Sequence, residues 1–349
     1  MEAYDVVVVG GSIAGLSAAL VLGRARRRVL VCDAGRPRNA VSAGVHGFFT
    51  RDGTPPAELL RLGREELAPY HTVQLREVQV SGAAREGDGF RVDLADGSPV
   101  HGRRLVLASG VLDELPAVPG LRELWGRGVY HCPYCHGWEV RDRPVAIYAR
   151  GAVGLEFATM VRQWSRDLLL LTDGPHGLDD VQRGRLEALG VGVREERIER
   201  IEGARPVEGR ESLEGPAGQS QSQGQSQGQG QGQGQGSEGA TLRVHFAGGE
   251  TLAREGLFVR PAQRQRAELA AALGCEMVTM GVEPAAVHLI KCDPLTRETS
   301  VPGVYGAGDA GSPMQSAVVA AAAGAQAAYA ANHALAFEDA AALWAAQGR

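Results

Sequence analysis

Lysine is almost missing from this chain: Lys291 stands alone among 36 Lys and Arg residues. No lysine therefore sits at a glycine-rich phosphate loop or near any other motif, and mechanisms built on a Walker or Schiff-base lysine fall away. The basic work passes to arginine and histidine. Charge of one sign is lacking as well. The formal net charge is -5, and the cluster Arg24, Arg26, Arg27 and Arg28 reads as a solvated helix end, so nucleic acid is not expected as a partner. No apolar stretch approaches the roughly 20 residues of a spanning helix. The run Val6 to Val9 begins too early for the core of a signal peptide. The expectation is a cytoplasmic protein that makes no membrane contact. Cysteine is scarce and odd in number, five in all, and only Cys132 and Cys135 lie close together. A chain of 349 residues has room for two domains with buried cores, so folding needs no disulfide scaffold. A zinc site would want a second cysteine or histidine pair, which Cys32, Cys275 and Cys292 do not form; those three read as small buried hydrophobes, and no metal is expected.

What is present is an ordered set of strand, turn and helix signals. Tyr4 to Val9 is a β-branched run ending in Gly10-Gly11-Ser12-Ile13-Ala14-Gly15, a helical pattern follows from Leu16 to Leu22, and a second strand, Val29 to Cys32, ends at Asp33. Strand, glycine turn, helix, strand and acid are the order of a dinucleotide-binding βαβ unit. Between Val78 and Val100 the period changes to two, with turns at Glu86-Gly87-Asp88-Gly89 and Ala95-Asp96-Gly97, as in a β-meander. Arg104 to Gly110 is another buried strand that ends in small residues, and Pro116 and Pro119 mark a domain crossing.

Beyond the cysteine pair the βαβ layout repeats, with strands at Pro144 to Tyr148 and Asp167 to Leu171 around a helix at Gly151 to Trp164. From Leu257 the chain returns to the first domain, and an alanine-rich helix is expected from about Ser316 to Leu335. The fold class is α/β: two dinucleotide-binding, Rossmann-like domains, the first discontinuous and carrying a β-meander. Its parts are 1–115 and 257–349, with the second domain at 116–256 carrying the cysteine pair. Residues 203–239 are rich in Gln, Ser and Gly without apolar periodicity, which reads as a disordered surface insertion.

The first glycine turn lacks the middle glycine of a GxGxxG fingerprint: Gly10 and Gly15 fit, whereas Ser12 stands where the chain would approach a pyrophosphate. A serine is small enough for that place. Helix amides at the turn attract phosphate, and Asp33, 18 residues after Gly15, is placed to accept from a ribose hydroxyl. The sharpest signal is Tyr130-His131-Cys132-Pro133-Tyr134-Cys135-His136-Gly137. Two residues between cysteines let a disulfide close within one helical turn, and a helix amino end lowers a thiol pKa. A histidine directly after the second cysteine can exchange a proton near neutral pH.

These residues resemble the low-molecular-weight thioredoxin reductase family over nearly the whole chain. The resemblance rests on Gly10 to Gly15, the CxxC pair, and Gly308-Asp309 with Met314-Gln315-Ser316. It implies FAD held by Gly10, Ser12, Ala14, Gly15, Asp33, Ser109, Gly110, Gly308, Asp309, Gln315 and Ser316. It also implies a homodimer, with Cys135 facing the flavin and Cys132 exchanging with the external sulfur.

Two departures stand out. His136 occupies the place of the family's acid/base aspartate. The second glycine fingerprint reads Ala149-Arg150-Gly151-Ala152-Val153-Gly154, and the next strand ends at Asp173, where arginines would meet the 2′-phosphate of NADPH. CxxC followed by histidine, with a degraded nicotinamide site, resembles the dithiol oxidases that close disulfides in gliotoxin, holomycin and romidepsin. That resemblance implies a small-molecule dithiol substrate, O2 as acceptor and H2O2 as product, with Cys132, Cys135 and His136 as the catalytic residues.

His131 either assists or orients. His46 falls in a region that approaches the flavin in related folds, and Tyr134 and Trp138 can line an apolar pocket. One rival reading is an NAD(P)H-dependent reductase, with Asp173, 19 residues after Gly154, holding a ribose hydroxyl. Another is a flavin redox sensor without turnover.

Overall fold

The computed structural model describes residues 2–203, 241–283 and 285–347. All but the first residue of the 203–239 insertion lies outside the described residues.

The chain divides into two compact units. The first comprises 1–117, 131–138 and 259–349, the second 118–130 and 139–258. These crossings fall within two residues of those read from the prolines and the return at Leu257. One assignment needs correcting: 131–138, which carries both cysteines, groups with the first unit and not with the middle domain. The physical reason is local. His131 and His136 reach side chains of the first unit, Gln263 and Ser42 respectively.

In the first unit, Glu2–Val9 lies parallel to Val29–Cys32 on one side and to Pro99–Leu107 on the other. Its alternation decides both faces. Val6 and Val8 join a core beneath the helices Ile13–Arg24, Pro56–Leu67 and Ala317–Ala346, and Val7 and Val9 join a second core with Phe90, Leu105 and Ile290. The meander forms as read, with Val80–Glu86, Gly89–Leu94 and Pro99–Leu107 running antiparallel. Gly87 and Gly97 supply the positive φ of its turns, 62° and 86°.

A separate four-stranded sheet includes Val111–Glu114 paired antiparallel with Ala262–Gln265, which sets Asp113 directly opposite Gln263. The alanine-rich helix runs 30 residues, Ala317–Ala346, beyond the expected end at Leu335. No glycine or proline stops it before Gly348, and its last buried residue is Leu335.

Small residues let this helix lie against Ile13–Arg24. A Cβ on Gly324 would stand 2.0 Å from the carbonyl oxygen of Ala14, and one on Gly15 would stand 1.8 Å from that of Gly10.

The second unit is built on a five-stranded sheet that contains Val145–Tyr148, Leu168–Leu171 and Gly192–Arg194 in parallel. The unbroken apolar runs of the first two suit strands covered on both faces. Val145, Ile147, Phe157, Leu168, Leu170 and Phe258 share its core.

Gly324→Ala should lose about 2 kcal/mol of unfolding free energy, because the new methyl meets backbone that cannot step aside. Gly184→Ala, on an exposed helical turn with open space around it, should gain about 0.5 kcal/mol. Urea titration of the FAD-loaded protein checks both signs.

Candidate active site

The residues read as a nucleotide cradle meet at the carboxyl ends of the first unit's parallel strands. Gly10 leaves its strand with φ 111°, and a Cβ there would lie 2.3 Å from the carbonyl oxygen of Ala108. Ser12 is the N-cap of the first helix, and its hydroxyl makes no capping bond. Asp33 closes the second strand; it accepts from the Gly35 amide at 3.1 Å and pairs with Arg64 at 2.9 Å. Gly110 follows the third strand with φ 72°, directly after Ser109. Gly308, φ 66°, opens a short turn against Ala14, where a Cβ would meet the Ala14 methyl at 2.9 Å.

A cavity of about 720 Å³ opens beside Asp33, lined by Arg36, Leu60, Arg64, Glu77 and Val78 among others. Its size and its mix of apolar wall and polar rim suit an adenosine. Two of the expected contacts have their side chains engaged elsewhere: Ser316 caps the final helix through Val319 N, and Gln315 bonds to Arg38 and Gln263.

Cys132 is the N-cap of the short helix Pro133–His136. Its thiol pKa is lowered, first by a hydrogen bond from Cys135 and then by the backbone amides of Cys135 and Tyr134. Cys135 moves the other way, raised by holding its proton toward Cys132 and by burial. Cys132 is therefore the thiolate of the pair, and Cys135 is its proton-bearing partner.

His136 Nε2 lies 3.1 Å from Ser42 Oγ. That hydroxyl donates its one hydrogen to the Gly44 carbonyl at 2.8 Å, so toward His136 it accepts. The ring also hydrogen-bonds to the Cys132 backbone, and its Nδ1 atom is buried. Burial, then the nearby His46, pushes its pKa down to about 4. His46 itself pairs with Asp52 at 3.7 Å. Tyr134 and Trp138 are 75% and 66% exposed, so they form surface around the cysteines and not a closed pocket.

Arg38 was not foreseen. It forks onto Asp113 at 2.6 and 2.7 Å, and its remaining nitrogen reaches Asp309 at 2.9 Å and Gln315 at 2.6 Å. Gln315 donates to Gln263 at 2.5 Å, and Gln263 donates to Asp113 at 3.1 Å and lies 3.3 Å from His131 Nε2. Ser42, Asp113 and Gln263 were missed with it. None lies in a motif, and their partners are up to 277 residues away. Only the closeness of Arg38 to Asp33 hinted at a role.

In the second unit the corresponding turn is filled by the chain itself. The Gly151 amide donates to the His176 carbonyl at 2.7 Å. Arg150 lies across the end of the strand and donates to the carbonyls of Thr172 and Asp173. Asp173, proposed for a ribose, instead accepts from Tyr148 OH at 3.0 Å and from Ile198 N at 2.7 Å. Its carboxylate is committed to the fold.

A flavin-type cradle, a thiol pair at a helix start and a second βαβ unit define a two-domain disulfide oxidoreductase. The model of the pyridine nucleotide-disulphide oxidoreductase family matches residues 4–220, and the chain belongs to that family. Among solved structures it is similar to HlmI, at 37% identity and TM-score 0.81, covering 99% of this chain and 96% of that one. An oxidoreductase from Agrobacterium tumefaciens is 33% identical with TM-score 0.80, over 97% and 99% of the two chains. A probable thioredoxin reductase of Arthroderma benhamiae is 28% identical over 323 residues, 88% of this chain and 74% of that protein. The protein is an FAD-dependent enzyme of the thiol–disulfide class. The glycine cradle and the cavity beside Asp33 fit that cofactor.

Arg38→Met should cost about 3 kcal/mol of stability, because Asp113, with its side chain 7% exposed, keeps a carboxylate without its cation. Urea unfolding of Arg38→Met beside wild type checks the loss.

Proposed function

We propose that this protein is a dithiol oxidase. It closes a disulfide in a small-molecule dithiol of secondary metabolism, of the antibiotic type, with O2 as electron acceptor and H2O2 as product. The observation that carries the reading is the self-filled turn of the second unit. A phosphate would have to displace the His176 carbonyl from the Gly151 amide, and a ribose would have to take Asp173 from Tyr148 and Ile198. Without a nicotinamide donor, the usable electrons are those of a thiol substrate.

The residues then have distinct tasks. The sulfur of the first substrate thiol attacks Cys132 of the Cys132–Cys135 disulfide; the S–S bond breaks, and the proton given up by that thiol passes to Cys135, which leaves as a thiol. The second substrate thiol gives its proton to His136 and attacks the substrate sulfur of the mixed disulfide. That step closes the substrate's ring and expels Cys132. The same amides and Cys135 hydrogen bond that lower the Cys132 pKa make it the better leaving group. Two electrons have passed from substrate to the cysteine pair. The bound FAD would supply the acceptor for these two electrons and the route by which O2 is reduced to H2O2. Gly10, Ser12, Ala14, Gly15, Asp33, Ser109, Gly110, Gly308 and Asp309 would hold FAD, together with the backbone at Gln315 and Ser316.

Tyr134 and Trp138 offer an aromatic rim to an apolar dithiol. A second copy of the chain would cover Tyr329, Phe337, Leu343 and Trp344, exposed on the last helix. The setting is a reducing cytoplasm, in which Cys32, Cys275 and Cys292 persist as thiols.

Dithiothreitol should be oxidised aerobically with one H2O2 per disulfide, and anaerobic NADPH or NADH should leave the flavin absorbance unchanged. Rapid bleaching by either nucleotide would make the enzyme a reductase. Cys132→Ser should abolish turnover while FAD is retained; intact turnover overturns the assignment.

His136→Ala should lower kcat by about 100-fold. The working form of His136 is neutral and its pKa is about 4, so this advantage should hold from pH 8 down to about 5 and fade only as pH drops through about 4. Fading centred at the ordinary value of about 6.5 would contradict the site geometry.

A further inference from the structure

The hydrogen bonds behind the cysteine pair have a direction that chemistry fixes. An arginine can only donate. The contact of Arg38 Nη1 with Gln315 therefore falls on the amide oxygen, at 2.6 Å, and turns the Gln315 amide nitrogen toward Gln263. Gln263 then presents its oxygen to Gln315 and its nitrogen to His131 Nε2, 3.3 Å away. A second anchor requires the same orientation. The Gln263 nitrogen also donates to the Asp113 carboxylate at 3.1 Å, and a reversed amide would set oxygen against oxygen. Asp113 is held in turn by the Arg38 fork and by direct strand pairing with Gln263. An amide nitrogen cannot accept a hydrogen bond, so His131 Nε2 must be the acceptor and the ring proton must reside on Nδ1.

We propose that Gln263 is a positioning residue which, oriented by Arg38 through Gln315 and by Asp113, locks His131 as the uncharged Nδ1–H tautomer. Of the two histidines flanking the cysteines, only His136 then exchanges protons. The inference rests on the thiol chemistry above and extends it by dividing the labour between the two histidines. Gln263 is 1% exposed and cannot exchange its partners for water. The charged groups facing His131 are Arg38 from the loop after the second strand, Asp113 from the strand opposite Gln263, and Arg260, with His136 beyond the cysteines. Burial and Arg38 keep the ring neutral, with a pKa lowered to about 4. A charged His131 would place a second cation beside Arg38 and Arg260.

The test is ¹⁵N-histidine NMR of the full-length, FAD-loaded protein, with His131 assigned by the signals lost in His131→Asn. In wild type, Nδ1 should be protonated and Nε2 bare from pH 8 to pH 5. Gln263→Glu, similar in shape, sets a carboxylate against Nε2. His131 should then gain a proton there, and its apparent pKa should rise from about 4 to near or above the ordinary value of about 6.5. The pH profile of dithiothreitol oxidation should gain an ionisation at that same pH, with flavin content unchanged. Gln315→Leu, which leaves the Asp113 anchor in place, should keep the Nδ1–H tautomer, whereas Gln263→Leu should let the Nε2–H form appear.

A wild-type His131 that is charged or carries its proton on Nε2 at pH 7 overturns the proposal. So does a Gln263→Glu protein with unaltered His131 titration. If no form oxidises dithiothreitol in air, the proposed function fails by itself, and the NMR signals still decide the role of Gln263.

Discussion

Arg38 draws together segments of the first unit that are otherwise far apart in sequence: the loop after its second strand, the strand bearing Asp113, and the Gly308-Asp309 turn with Gln315. Its guanidinium has donors only, and they are spread in a plane, so each partner must present oxygen in a set direction. That constraint passes outward through two amides to the histidine beside the reactive thiols. Asp309 shows what the ion pair counteracts. Burial raises its pKa even with Arg38 2.9 Å away, so without that cation a carboxylate here would be still harder to keep charged.

The two βαβ units show how one local pattern acquires opposite uses. In the first, the glycine turn at Gly10 packs against Ala108, and a cavity is left open beside Asp33. In the second, Gly151 gives its amide to His176, and the bulk of Arg150 lies over the strand end. Asp173, at φ 51°, is drawn inward to Tyr148 and Ile198. An acid at the end of a strand thus reads alike in both sequences, yet Asp173 is drawn into the fold whereas Asp33 borders an open cavity.

The thiol pair illustrates a similar division. The CxxC spacing announces that two sulfurs can meet, and the helix start directly after Cys132 tells which is the more acidic. His136 stands next in the chain. Its ring is held by Ser42, 94 residues away in sequence, whose hydroxyl gives its hydrogen to Gly44 and lies 3.1 Å from Nε2.

The sequence alone determined what short-range periodicity and spacing encode. These are the two βαβ units and the meander with its turns at Gly87 and Gly97. It placed 131–138 in the middle domain because those residues lie between stretches of it, and stopped the last helix at Leu335, where its buried face ends. Only tertiary structure brought Arg38, Asp113, Gln263 and Gln315 together, turned Asp173 inward and assigned 131–138 to the first unit. The physical reason is range. Helix and strand periods are written within about ten residues, whereas these hydrogen bonds join side chains separated by 25 to 277 positions, whose meeting no local pattern records.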